Sequence, residues 1–384
     1  MKKNKFLPFA KPSIGEDEIN EVIDTLKSGW LSIGPKTQKF EKKLEDYIGC
    51  NYVVALNSCT AALHLSLLGL DIGKNDEVIT TPFTFAATAN TIINVGAKPV
   101  FADIRADTYN INPDEIVKKI TSKTRAIIPV HYGGQPCEMD EIIKIAKEHD
   151  LYVIEDAAHA IGAKYKNKKI GTIGDVTCFS FYAIKNITTG DGGAIATNNK
   201  KLSEKIRKLS LHGINKNAWN RYSSKGNWYY EVEYPGYKYN LTDIQSAIGL
   251  VQLPKLDNFI ERRREISEMY NHGFEKNDAI TTPFTSKDVY HAKHLYPILV
   301  NGLNINRNDF IEELKEMNIG TSVHFIPMHY HPFYKKTFKY KKGDFPITEN
   351  VFKNLISLPL YPDMSNANVN YVIKCVKKIA NKNR

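Results

Sequence analysis

Cysteine is scarce in this chain and poorly placed for cross-linking: Cys50, Cys59, Cys137, Cys178 and Cys375 are five in number, widely scattered and without a C-x-x-C pair. An odd, dispersed set gives neither a disulfide framework nor a zinc-binding spacing, so no metal site is expected. Long apolar runs are also missing. None approaches the roughly 20 residues that a membrane-spanning helix requires. The opening MKKNKF is not followed by an apolar segment of signal-peptide length. These absences lead us to expect a cytoplasmic protein with no membrane partner. There is no internal repeat and no low-complexity linker. Charge is in excess, 52 Lys and Arg against 42 Asp and Glu for a formal +10, but it is not concentrated. A nucleic-acid partner would need a clustered basic face. Only residues 334–342 (YKKTFKYKK) interleave aromatic and basic side chains densely, and a solvated loop is the simpler account of them.

Within these limits, 384 residues that are 42% hydrophobic and 24% charged make an ordinary globular chain with room for two domains. Residues 16–26 and 36–47 carry apolar side chains at helical spacing and read as two amphipathic helices. The glycine-bounded loop between them (SGWLSIGP) holds Trp30 and Ile33, more apolar content than a spacer needs. From residue 52 onward short β-rich runs alternate with helical ones: 52–56, 77–81, 99–103, 125–130, 151–156 and 176–182 as strands, with 61–68, 85–95, 113–120 and 137–149 among the helices. Repeated β-α units with near-continuous apolar strands argue for an α/β fold, a mostly parallel sheet covered on both faces. From Leu241 the texture changes to one long helical pattern reaching Arg264 and beyond. Strands at 296–300 and 321–325 and helices at 307–317 and 369–380 follow. The expected division is a large α/β domain over 1–250 and a smaller α+β domain over 251–384.

The chemistry is concentrated at the ends of these strands, where ligands bind in open parallel sheets. The apolar run 178–184 ends in Lys185, followed at once by the small, polar stretch NITTGDGG, which reads as a tight loop. A lysine that is partly desolvated holds its amine free near neutral pH and becomes a nucleophile, most often toward an aldehyde cofactor. Asp156 ends its own strand, backed by small residues, and a carboxylate there could hold a proton on a pyridine nitrogen. Ser58 and Thr60 open the helix after the first strand, where free N–H groups and the positive dipole end suit a phosphate. Ser180 lies on the lysine's own strand. Phe85, at the start of a helix, could stack on a flat ring. Taken one at a time, these are equally an exposed lysine, a surface acid, a plain helix cap, a buried serine and a core aromatic.

Taken together, five segments resemble the sugar aminotransferases of the DegT/DnrJ/StrS family, within the fold-type I enzymes that use pyridoxal 5′-phosphate. They are residues 29–35 (GWLSIGP), 57–62 (NSCTAA), 155–160 (EDAAHA), 180–193 (SFYAIKNITTGDGG) and 236–243 (GYKYNLTD). The resemblance implies a large domain with a mostly parallel seven-stranded sheet. It implies Lys185 as the residue that forms an imine with the cofactor and moves protons, and Asp156 as the partner of the ring nitrogen. Ser58, Thr60, the Ala61 backbone and Ser180 then form the phosphate cradle, Phe85 stacks on the ring, and His159 lies on the ring's oxygen side. Asn240 would reach the phosphate across a homodimer interface. Trp30, Ile33, His324 and His329 are weaker candidates for substrate contact.

The implied reaction takes nitrogen from L-glutamate and delivers it to a ketone on a nucleotide-linked sugar. His159, with HYGG at 131–134 and HG at 212–213, is closest in pattern to enzymes that aminate C4 of UDP-linked sugars, such as those making UDP-4-amino-arabinose. The alternative branch aminates C3 of dTDP sugars and often carries glutamine where His159 stands. A rival of another class is a non-catalytic regulator with the same fold, against which an intact Lys185 and Asp156 speak.

Overall fold

The computed structural model describes residues 6–215 and 229–384. Its main sheet holds seven strands, β1 (Tyr52–Leu56), β2 (Glu77–Thr80), β3 (Lys98–Phe101), β4 (Thr124–Ile128), β5 (Tyr152–Asp156), β8 (Val176–Ser180) and β9 (Gly193–Thr197), in the order β1-β9-β8-β5-β4-β2-β3. The chain between β5 and β8 forms a hairpin of β6 (Lys164–Tyr165) and β7 (Lys168–Lys169), extended by β11 (Val289–Tyr290). A third sheet joins β10 (Ile280–Thr281), β12 (Tyr296–Val300) and β13 (Leu355–Leu358).

The strands β2, β3, β4, β5 and β8 pair in parallel, and β9 runs antiparallel to both of its neighbours, β8 and β1. Alternate side chains of a strand face opposite sides, and both sides are covered here. Val53, Ile79, Val153 and Phe179 point into one core, shared with the helices Pro35–Ile48 and Met139–Glu148. Their neighbours Val54, Val78, Ile154 and Cys178 point into another, shared with the helices Cys59–Gly69 and Lys200–Leu209. Because both faces are buried, the strands carry no polar side and read as continuous apolar runs.

Three features differ from the sequence expectation. The strand β9 falls where only a glycine loop is legible, because Gly-Ala-Ile-Ala-Thr has little side-chain bulk to mark it. The long helical pattern from Leu241 is two helices, Asp243–Gln252 and Leu256–Phe274, joined by a 3-10 turn over Leu253–Lys255. Pro254, with no backbone N–H to donate, stands at the join. Residues 321–325 are not a strand. Only Ser322 pairs, with Ser357 of β13, and the chain then leaves the sheet edge, taking Val323, His324 and Phe325 toward the end of the main sheet. The helix Leu256–Phe274 belongs to two cores at once: Leu256 and Ile260 pack in the sheet core, while Ile266, Tyr270 and Phe274 pack in a second core with Leu7, Phe310 and Val372. The two parts of the chain therefore meet along a helix rather than at a flexible linker.

The helix Pro35–Ile48 begins at Gly34, which has no side chain to cap it. Asp243, from the start of another helix, supplies the cap: its Oδ1 accepts from the Thr37 N–H at 2.9 Å and from the Thr37 hydroxyl at 2.7 Å, and its Oδ2 from the Lys36 N–H at 3.1 Å. Asp243 is buried, so its removal leaves orphaned donors away from water. Asp243→Ala is expected to lower unfolding stability by about 1–3 kcal/mol, read as an earlier urea midpoint with an unchanged slope.

Candidate active site

Asp156 is the last residue of β5. It faces the same side of the sheet as Ile154, while Glu155 faces the other. Glu155 is fully engaged there, accepting from the Thr177 hydroxyl at 2.7 Å and the Gly174 N–H at 2.9 Å and pairing with His131 Nε2 at 2.9 Å. His131 Nδ1 accepts from the Cys137 N–H at 3.1 Å, so the proton lies on Nε2 and points at the carboxylate. Of two adjacent acids, one is a satisfied structural group and the other opens into a cavity. Asp156 Oδ2 accepts from the Thr88 hydroxyl at 2.7 Å and Oδ1 from the Ala158 N–H at 3.2 Å. Thr88 gives its one proton to the carboxylate, so the Thr84 hydroxyl, 2.7 Å away, donates to Thr88. Burial pushes the Asp156 carboxyl up from its ordinary range, against these bonds and the attraction of Lys185. A cation beside it would be held strongly, since burial also weakens solvent screening.

Lys185 lies five residues beyond the end of β8, in a loop closed at its base by the N–H of Thr189 and the hydroxyl of Thr188, both donating to the Phe181 carbonyl. Its amine forms no hydrogen bond or ion pair among the described residues. Burial pulls it down to about 8. About a tenth of it is therefore the free amine at pH 7, far more than for an ordinary lysine, as nucleophilic lysines require.

One end of the cleft is built by the helix Cys59–Gly69. Ser58 is its N-cap, accepting from the Ala61 N–H at 3.1 Å. Ala61 is thus already engaged and does not line the cavity, a departure from the sequence expectation. What the helix end offers is the N–H groups of Cys59 and Thr60, which have no acceptor within the helix, together with the Thr60 hydroxyl. This end of the helix sits against β9 only because residue 193 is glycine: a Cβ there would stand 2.5 Å from the Cys59 nitrogen.

Ser58, Thr60, Phe85, Asp156, His159, Ser180, Lys185 and His324 line one cavity of about 600 Å³. Phe85 stands at its rim, 63% exposed. His159 is buried with its ring 5.9 Å from Phe325 and nearly parallel to it, and its Nδ1 finds no partner among the described residues. The other candidates lie elsewhere. Asn240 and Ile33 line a second cavity of about 380 Å³. Asn240 accepts from Lys238 Nζ at 2.6 Å and donates to the Leu241 carbonyl at 3.0 Å. Trp30 is on the exposed loop before the helix Pro35–Ile48. His329 is fully buried against Phe345 and pairs with Glu349 at 3.0 Å, away from the main cavity. Its place in a histidine-rich run therefore reflects packing.

Sequence reasoning did not identify Thr88, Asn186 or His294. Thr88 follows Phe85 by one helical turn, a weak signal, and Asn186 is merely adjacent to the lysine. His294 comes from the distant segment before β12, and nothing local marks it. Three imidazoles, His159, His294 and His324, surround the amine. Burial, with Lys185 adding repulsion, holds all three below the ordinary histidine range, His324 at about 4. They are neutral at physiological pH and add no charge that would compete with the lysine. Among the described residues no group of three His, Cys, Asp or Glu is placed to hold a metal ion, and no helix is long and apolar enough to cross a membrane.

Comparison with known proteins agrees with this geometry. The model of the DegT/DnrJ/EryC1/StrS aminotransferase family matches residues 12–377. The chain is 61% identical over 386 residues to an uncharacterized protein, MJ1066, of Methanocaldococcus jannaschii, covering all of both chains. It is 54% identical to the spore coat polysaccharide biosynthesis protein SpsC of Bacillus subtilis, covering 98% of each. Among solved structures, the putative sugar aminotransferase Spr1654 of Streptococcus pneumoniae in its PMP form superposes with a TM-score of 0.93 at 36% identity, covering 98% of this chain and 99% of that one. The same protein is also known in a PLP form. The residues present here fit that cofactor. The cleft holds a free amine and a buried acid, a helix N-terminus closed against a glycine that admits no side chain, and an imidazole nitrogen left unpaired in a dry site.

Two expectations follow. In the cofactor-free protein, Lys185 should react with an amine-directed acylating reagent with a midpoint near pH 8, whereas an ordinary lysine titrates near ~10.4; peptide mapping across a pH series reads this. Thr88→Val keeps the shape and removes the hydroxyl bond to Asp156, so the carboxyl should rise further. Cofactor binding should weaken by roughly 10–150-fold, about the worth of one hydrogen bond to a charged group, measured by fluorescence titration.

Proposed function

We propose, because the chain belongs to the DegT/DnrJ/EryC1/StrS aminotransferase family, that it moves the amino group of L-glutamate to the C4 keto carbon of a nucleotide-linked sugar, one carried by UDP. Its cofactor is pyridoxal 5′-phosphate, and the chain shares the fold-type I architecture of its structural neighbours. When bound, this group supplies an aldehyde that accepts nitrogen and a ring that can take up an electron pair.

The observation that carries the reading is that the Lys185 amine and the Asp156 carboxylate open into one cavity, with burial pulling the amine down toward neutrality, to about 8. In this reading Asp156 keeps the ring nitrogen protonated, and the Thr88 and Ala158 bonds aim its two oxygens. Lys185 carries protons within the site as general acid and base. Thr60, Ser58 and Ser180 would hold the phosphate at the helix end, with Asn240 contributed by a second copy across a homodimer interface. Phe85 would stack on the ring, and His159 would serve the ring's oxygen side. His324, fixed by Nδ1 to the Ser357 hydroxyl at 2.9 Å, closes the sugar side. We take the protein to work in the cytoplasm, making an amino sugar for a cell-surface polysaccharide. The similarity to a spore coat polysaccharide biosynthesis protein supports this role.

The test is incubation of the holoenzyme with L-glutamate and a panel of 4-keto and 3-keto sugars linked to UDP or dTDP, with product mass and the position of the new amine determined. A 4-amino UDP sugar is expected. A 3-amino product would move the chain to the dTDP branch, and failure to aminate any of the panel, with no cofactor attached to Lys185 after borohydride reduction, would favour a binding role without catalysis. Lys185→Ala should lower turnover by roughly 10²–10⁴-fold or more.

A further inference from the structure

The loop bearing Lys185 is tied at its base to Phe181, but its apex needs a separate anchor. That anchor is the side chain of Asn186, buried next to the lysine. Asn186 Nδ2 donates to the Ala292 carbonyl at 2.8 Å. A carbonyl only accepts, so the amide orientation is settled and Oδ1 faces the other way, toward His294 Nδ1 at 3.2 Å. An amide oxygen likewise only accepts, so His294 carries its proton on Nδ1. The ring of His294 also packs 4.4 Å from that of His159, centroid to centroid, at a tilt of 35°. His159 is thereby held between His294 and Phe325.

His294 stands on a segment that also docks through its backbone onto the turn at Gly133–Gly134. The N–H groups of His294 and Leu295 donate to the Gly133 carbonyl at 2.8 and 3.2 Å, and that of Ala292 to the Gly134 carbonyl at 2.9 Å. Gly134, at φ +96°, is a position where a side chain is excluded: a Cβ would stand 2.8 Å from the His159 carbonyl oxygen and 3.2 Å from the His294 nitrogen. The HYGG motif is therefore a docking turn for the segment that brings His294 to the lysine, and it accounts for a pattern the proposed chemistry leaves unused.

We propose that His294 is a positioning residue for the amino-transfer reaction: as the Nδ1–H tautomer it clasps Asn186, fixes the apex of the Lys185 loop, and keeps the lysine amine in its partly desolvated place. The inference rests on the reading of Lys185 as the reactive amine. It is tested without any sugar substrate, so a failed substrate panel would not touch it. Three measurements on the cofactor-free protein decide it. In the wild type, nitrogen-15 NMR should find His294 in the Nδ1–H form; an Nε2–H form overturns the proposal whether or not any variant folds. The other two are the Lys185 reactivity midpoints of His294→Phe, which keeps a ring against His159 but cannot donate, and His294→Asn, whose amide nitrogen occupies the place of Nδ1 and can. The midpoint should move from about 8 toward the ordinary lysine range in His294→Phe and stay within a few tenths of a pH value in His294→Asn. A shift in both variants, or in neither, overturns the proposal. In the holoenzyme the first variant should lose about 10–100-fold in kcat of the glutamate half-reaction, with KM changed less than about 3-fold, since the loss is one of orientation.

Discussion

A partly desolvated lysine amine beside a buried carboxylate is the constraint on which the rest of this structure depends. Either group alone would be costly to bury. The protein accommodates the amine by letting it approach neutrality, and the acid by giving it two hydrogen bonds and the field of the lysine. Both solutions require the ends of β5 and β8 to lie side by side, which parallel pairing of these strands enforces. The helix Cys59–Gly69 meets the same end of the sheet from β1, one strand beyond β9, so the amine, the acid and the helix N-terminus are brought together by strand order.

The second part of the chain completes the site with neutral groups. His294 and His324 both come from segments flanking the third sheet, and each is held through Nδ1, His294 donating to the Asn186 amide oxygen and His324 bonded to the Ser357 hydroxyl. Their burial suppresses protonation, so the cavity gains polar rings without positive charge. This matters electrostatically. A protonated imidazole near Lys185 would bring another positive charge beside Asp156, a buried acid already engaged by hydrogen bonds. The same burial leaves His159 with one nitrogen unpaired, a state that proteins rarely tolerate unless a ligand is to be met.

Much of the site was legible because its residues sit at positions that local pattern identifies. Lys185 ends an apolar run before a glycine loop, Asp156 ends a strand, and Ser58 opens a helix after one. Each is a boundary where composition changes, and boundaries can be read along the chain. What was not legible depends on contacts across it. Ala61 belongs to the right motif, yet its N–H is taken by the Ser58 cap. His329 lies five residues from His324 and is buried against Glu349 and Phe345. Asn186 and His294 are 108 positions apart in sequence and become one unit only through the Gly133–Gly134 turn.

The fold class and the alternation of strands and helices were determined by the sequence alone, since apolar periodicity depends on nearest neighbours; Lys185 and Asp156 stood out there as candidates at strand ends, and the family resemblance supplied their expected roles. The tertiary structure decided which imidazoles face the amine, which proton each carries, and how far the amine is drawn toward neutrality. These depend on burial and on partners distant in the chain, and a hydrogen bond or a desolvated charge has no local signature until the packing that creates it exists.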